Sequence, residues 1–198
     1  MKKILLTLAL IVSTISYAQN SQGISTNRKV DLGLSVYWSG YNLGTTAPEN
    51  YGYYISWGEN EPKDFYDEST SRYTGKEIGD NISGTKYDAA RALWGGTWRM
   101  PTWEEWQELI DECSWTWTIY KGINGYVITG PNGNSIFLPA NGYAMNDGIE
   151  FEGKRGVYNS SIAKGEDRSY NISFGKPGVF HDDYRRQYGL GIRPVQNK

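Results

Sequence analysis

Four tryptophans fall within sixteen residues of this chain, in Trp94-Gly95-Gly96-Thr97-Trp98-Arg99-Met100-Pro101-Thr102-Trp103-Glu104-Glu105-Trp106-Gln107-Glu108-Leu109. So many indoles so close together commit the segment to an interior, because each carries a large apolar area that water disfavours. Pro101 blocks a helix from entering upstream. Thr102 then stands where an N-cap is needed, and Glu105 three residues on completes a capping box. Trp103, Trp106, Ile110 and Cys113 recur at spacings of three and four, which predicts one apolar stripe along a helix. Arg99, between Trp98 and Pro101, can stack on an indole and fork to a carboxylate. It is expected to be paired inside, as is Arg193 between Ile192 and Pro194.

Elsewhere the pattern is short and extended. A second helix is predicted over Tyr87–Leu93, stopped by Gly95-Gly96. Strand-like runs cover Leu34–Ser39, Tyr53–Trp57, Ser114–Ile119, Tyr126–Thr129, Ser135–Leu138, Ser169–Phe174 and Leu190–Val195. Turn chemistry separates them at Asn124-Gly125, Pro131-Asn132-Gly133 and Asn141-Gly142, with a hairpin across Pro131–Asn134. The fold class is α+β with much irregular structure. Its core is expected to draw much of its buried area from large rings, with 16 Tyr and 8 Trp, while 24 Gly supply turns. One cysteine excludes an intrachain disulfide, but a chain of this length can hold a fold by its core alone.

Lys2-Lys3, the apolar run Ile4–Ile15 and Ser16-Tyr17-Ala18 have the layout of a signal peptide, with an apolar run too short to span a membrane. The expected organisation is therefore a signal peptide over 1–18, a flexible leader over 19–28 and a single domain over 29–198. The chain carries 20 basic and 22 acidic residues. Losing Lys2 and Lys3 makes it more acidic still, which argues against nucleic acid and against anionic membranes as partners. An exported protein, secreted or held at the cell surface, is expected, with no membrane insertion after cleavage.

Few residues offer chemistry. Cys113 lies on the helix stripe, where a free thiol usually acts as a small hydrophobe. With His181 it falls short of a zinc ligand set, and nothing in the spacing pairs the two for nucleophilic catalysis. Glu59 with Glu61, and Asp182 with Asp183, are carboxylate pairs of the kind a glycosidase needs across a cleft. Asp182 and Asp183 could alternatively contribute to a calcium site, although no EF-hand spacing is present. No other cofactor is expected. What remains is recognition. The run Val179–Gln187 interleaves rings and charges without a period and reads as an exposed, ligand-facing loop. Tyr158, Asn159, His181, Asp182, Asp183, Tyr184, Arg185 and Arg186 are the expected ligand-binding residues. Tyr170 and Tyr188, in strand-like runs, are expected in the core.

Several segments resemble the Fibrobacter succinogenes major paralogous domain family of secreted proteins, widespread in Bacteroidetes-type bacteria. They are Asp31–Trp38, Tyr54–Glu59, the tryptophan-rich segment, Gly133–Tyr143 and Tyr188–Val195. That family is similar to the formylglycine-generating-enzyme group, whose Arg-Leu-Pro-Thr-x-x-Glu-Trp motif resembles Arg99–Trp106. The resemblance implies a C-type-lectin-like fold (sulfatase-modifying-factor-like), with small twisted sheets, two helices and a loop-rich half. It also implies that a tryptophan commonly stands where this chain has Asn159, in Val157-Tyr158-Asn159-Ser160-Ser161. That slot is either structural or solvent-facing. The enzymatic relatives hold copper with paired cysteines or iron with histidines. One Cys and one His do not reproduce either set. The expected function is a non-enzymatic recognition module for a glycan or a surface protein, acting through loops around 144–161 and 180–187. The alternatives are a structural component of a surface assembly, or a carboxylate-based hydrolase.

Overall fold

Thr102 caps the longer helix as its sequence dictates: its hydroxyl accepts from the Glu105 amide at 3.3 Å and the Glu105 carboxylate accepts from the Thr102 amide at 2.8 Å. In the computed structural model, which describes residues 23–198, that helix runs Trp103–Glu112. The expected signal peptide, and residues 19–22 of the expected leader, lie outside the described residues. The rest of the leader lies against the domain, with the Ser25 amide donating to the Ser135 carbonyl at 2.9 Å. A shorter helix spans Ala89–Trp94 and is capped by Asp88, whose carboxylate also accepts from the Gly84 and Met100 amides.

In chain order the elements are β1 (Val30–Asp31), β2 (Val36–Trp38), β3 (Ile55–Ser56), α1 (Ala89–Trp94), β4 (Trp98–Arg99), α2 (Trp103–Glu112), β5 (Ser114–Tyr120), β6 (Ile123–Thr129) and β7 (Ser135–Pro139). There follow β8 (Tyr143–Met145), β9 (Gly148–Glu150), β10 (Arg155–Lys164), β11 (Arg168–Gly175), β12 (Gly178–Arg185), β13 (Gly189–Leu190) and β14 (Val195–Asn197). They form four small sheets with orders β1-β2-β14-β4, β5-β6-β7, β10-β11-β12 and β3-β13-β8-β9. Every strand pair is antiparallel. The class is α+β, dominated by short strands. The Pro131–Asn134 turn joins β6 to β7 as its chemistry predicts. The run expected over Leu190–Val195 is two strands of different sheets, β13 and β14, because Arg193 and Pro194 carry the chain from one to the other.

The larger core lies where α2 meets β2, β6, β7, β10 and β11. Trp38, Trp106, Tyr158 and Phe174 are fully buried there, with Trp38 and Trp106 at 4.8 Å and Tyr158 stacked on Phe174 at 5.8 Å. Each such ring removes about 150–250 Å² from water, a gross gain of about 4–6 kcal/mol at 25 cal/mol per Å². The Trp106 indole N–H donates to the Asn159 carbonyl at 3.1 Å, so the burial leaves no polar atom of that ring unpaired. A second core packs α1 against Leu43, Ile55, Trp57, Met100 and Ile192.

Both buried-looking arginines are engaged, by different means. Arg99 forks to Glu105 at 2.9 and 2.5 Å, while the indole stacking expected of it occurs at Arg186 over Trp57, 4.1 Å from the ring centroid. Arg193 is fully enclosed and meets no carboxylate. It donates to Asn42 Oδ1 at 2.9 Å, to the Ser39 carbonyl at 3.0 Å and to the Phe137 carbonyl at 2.8 Å. Burial pulls its pKa down to about 10, which still leaves it charged at neutral pH.

Candidate functional site

The segment expected as a loop over Val179–Gln187 is mostly strand β12, paired along its whole length with β11. Alternation along a strand sends successive side chains to opposite faces. The expected site residues are therefore divided. His181, Asp183 and Arg185 share one face with Tyr170 and Arg168. His181 meets Trp103 edge-on at 4.8 Å, and Asp183 is held by Lys164 and Arg168. Arg185 is exposed. Asp182 and Tyr184 project from the other face, where Asp182 accepts from the Ser173 hydroxyl at 3.1 Å. Asp182 and Asp183 thus cannot face each other across a cleft or close on one calcium ion.

Three expected ligand residues are interior. Tyr158 and Asn159 are wholly buried because β10 runs under both α2 and the 189–191 segment. The Tyr158 hydroxyl donates to the Pro139 carbonyl at 2.8 Å and accepts from Asn42 Nδ2 at 3.0 Å. Asn159 donates to the Ile55 carbonyl at 3.3 Å, so its slot is structural. Arg186 is 2% exposed, sandwiched on Trp57 and donating to the carbonyls of Lys76 at 2.8 Å and Gly165 at 2.6 Å. Tyr170 and Tyr188, expected in the core, are only half-buried.

What the structure brings together centres on the β8–β9 hairpin. On one side Tyr143 touches Tyr184 at 5.0 Å, Tyr188 at 5.7 Å and Phe151 at 6.2 Å. Arg155 donates to the Tyr184 hydroxyl at 3.2 Å. Burial raises the Tyr184 pKa, with nearby Asp182 adding to the rise and Arg155 opposing it. Tyr143 is raised for the same main reason, so both phenols are neutral donors at neutral pH. The three tyrosines are half-buried, with Phe151 half exposed at their edge.

On the hairpin's opposite side, Ala144, Asn146, Asp147 and Ile149 face Tyr53, Tyr54, Lys63 and Asp64 across a hollow of about 260 Å³. A second hollow of about 310 Å³, lined by Arg28, Leu43, Thr45, Thr46, Leu93 and Trp94, shares Tyr53 with the first. Tyr53 is 42% exposed. Its ring lies on the backbone of Gly44: a Cβ there would sit 2.4, 2.5 and 2.7 Å from Cγ, Cδ2 and Cδ1, distances that place it over the ring's face. Gly44 has φ +88, so glycine is required both for that conformation and for the contact.

The Tyr53 loop hangs from the core. Asn42, which accepts from Arg193, donates to the Tyr51 carbonyl at 2.8 Å, and the Tyr53 amide donates to the Leu43 carbonyl at 2.8 Å. Sequence reading placed Tyr53 at the start of a strand and missed this role. The available signal was glycine at 44 and 52 around a Tyr-Gly-Tyr-Tyr run.

The remaining reactive groups are occupied or remote. Glu59 is buried and accepts from Lys63 Nζ at 3.0 Å and the Arg72 amide at 2.9 Å, while Glu61 pairs with Arg72 in the open. Burial pushes the Cys113 thiol up to about 11, with Glu108 and Glu112 contributing, the opposite of what a nucleophile needs. Among the described residues no group of three or more His, Cys, Asp or Glu converges on one point, and no helix is long and apolar enough to cross a membrane. No family model, curated protein or solved structure matches this chain.

Proposed function

We propose that this protein is an exported, non-enzymatic recognition module with a C-type-lectin-like fold, which binds glycan or protein at the bacterial cell surface through the surfaces flanking the β8–β9 hairpin. The observation that carries this reading is the half-exposed assembly of Tyr143, Tyr184 and Tyr188 with Arg155 and Asp182 beside it. Rigid rings with polar tips supply contact area at small entropic loss, which is what recognition surfaces use. The small antiparallel sheets, the two helices and the realised capping box at Thr102 agree with the lectin-like reading. The raised Cys113 thiol and the structural roles of Glu59 and Asp183 weigh against an enzyme.

The test is saturable binding of the purified protein to a glycan array and to extracted cell-surface fractions. Binding in either, weakened by Tyr184→Ala or Tyr53→Ala at unchanged melting temperature, supports the reading. Absence of saturable binding in both refutes it.

A second reading, a structural part of a surface assembly, draws on the sheet edges. β5 and β12 are edge strands that expose Ile119 (65%) and Phe180 (46%). Exposed apolar edges invite strand addition. Sedimentation showing concentration-dependent oligomers that Ile119→Lys abolishes would favour it.

A further inference from the structure

We infer that the two hollows sharing Tyr53 form one groove for a linear, neutral oligosaccharide, with the Tyr53 ring as the platform beneath its middle. This deepens the recognition reading above and rests on it.

The ring is fixed and accessible at once. One part of it rests on Gly44, and the 42% exposure leaves the remainder open to a ligand. Most exposed tyrosines lose rotamer freedom when a ligand settles on them. Here the backbone contact has already set the orientation, and the loop is tied through Asn42 to Arg193. Ring faces carry negative charge density, and the C–H faces of a pyranose carry partial positive charge, so the two stack.

The polar groups around the ring suit hydroxyls. Asp64 and Asp147 accept, Asn146 donates and accepts, and the Thr46 hydroxyl does both. None of these four side chains makes a hydrogen bond among the described residues, whereas Lys63 in the same hollow is already engaged by Glu59. Each hollow lies near the lower end of the size range of small-ligand pockets, roughly 300–1,000 Å³. A ligand filling both must be elongated and must pass Tyr53. Two unpaired carboxylates in the first hollow disfavour anionic chains there. The ligand class that satisfies ring, hydroxyl partners, length and charge together is a neutral glycan of several sugar units.

The experiment is calorimetric titration of the full chain with α- and β-linked neutral hexasaccharides of glucose, mannose, galactose and N-acetylglucosamine. The matching disaccharides and an oligogalacturonate serve as comparators. The expected result is binding of at least one hexasaccharide, more tightly than its disaccharide and than the oligogalacturonate. Tyr53→Ala should weaken it about tenfold or more, Tyr53→Phe should retain it, and Lys176→Ala, an exposed residue outside both hollows, should leave it unchanged. Thermal melts confirm that each variant is folded; Tyr53 contributes to neither core. Hexasaccharide binding lost in Tyr184→Ala and kept in Tyr53→Ala overturns the groove and leaves the recognition reading standing. Failure of every neutral hexasaccharide, or preference for the oligogalacturonate, overturns the ligand class. Only failure of the cell-surface fractions as well removes the recognition reading itself.

Discussion

Replacing Arg193 by alanine should lower the melting temperature by about 6–20 °C. The guanidinium is fully buried and donates to three acceptors on separate segments, Asn42 Oδ1, Ser39 O and Phe137 O, at 2.8–3.0 Å. Truncation leaves those acceptors enclosed and unpaired, at about 1 kcal/mol or more each, and opens a cavity besides. Against this, no carboxylate faces Arg193, so its removal relieves a desolvation penalty that its pKa of about 10 registers. Breaking buried charged networks generally costs about 3–5 kcal/mol, and for a domain of this size each kcal/mol is about 2–4 °C. Circular dichroism melts of wild type, Arg193→Ala and Arg193→Met separate the contributions. Methionine refills the space without donating, so it should recover only part of the loss. A shift below about 2 °C for alanine, or full recovery with methionine, would refute the claim that these three hydrogen bonds hold the segments together.

Two further outcomes follow from titrating groups. Hydrogen bonds from Lys164 first, and Arg168 after it, hold the Asp183 carboxyl below its ordinary value, so the pair adds stability above the unfolded pKa of about 3.9 and loses it as pH falls through the folded one. Asp183→Asn should cost no more than about 1 kcal/mol at pH 7, as befits a partly exposed pair, and should flatten the acid limb of a urea-denaturation pH profile; parallel profiles would contradict this. With its thiol at about 11, Cys113 should react with a disulfide reagent at pH 8 about a hundredfold more slowly in the folded protein than in urea, and equal rates would show the thiol to be unprotected.

The sequence announced those elements whose neighbours in the chain determine them. α2 was legible because its cap, its proline stop and its apolar stripe are local: Trp106 of that stripe is fully buried and Trp103, Ile110 and Cys113 pack partly buried against the same core, joined by Leu109, which the stripe did not include. The β6–β7 hairpin was legible because Pro131–Asn134 bounds both runs, whereas the turn expected at Asn124-Gly125 falls inside β6, and the β5–β6 turn lies at Lys121-Gly122, both at positive φ. β10 and β12 were not legible. Asn159, Ser160 and Ser161 are buried polar residues, the first two bonded to the Ile55 and Tyr170 carbonyls and the Ser161 hydroxyl without a partner among the described residues, so no hydrophobic period marks their strand. β12 is partly exposed on both faces, which erases the alternation that would have distinguished strand from loop. Reading it as a loop placed Asp182 and Asp183 together, whereas pairing with β11 parts them. Tyr143, Tyr184 and Tyr188 share a surface only because β8 pairs with β13 and β12 lies alongside, contacts far apart along the chain. Tyr53 escaped notice because its meaning depends on what lies beneath it, and that is an absent methyl group at residue 44.

β14 lies between β2 and β4, so the first sheet acquires its central member only after residue 197 has been synthesised. Until then the edges of Val36–Trp38 and Trp98–Arg99 lack their shared neighbour, and the Trp38 pocket lacks Val195 as its closing wall. A chain stopped short of residue 195 would therefore lack an inner strand of this sheet, although the β5–β6–β7 and β10–β11–β12 sheets need nothing beyond residue 185. Closure of the first sheet thus waits for the last strand, so removal of residues 195–197 should open the Trp38 side of the larger core.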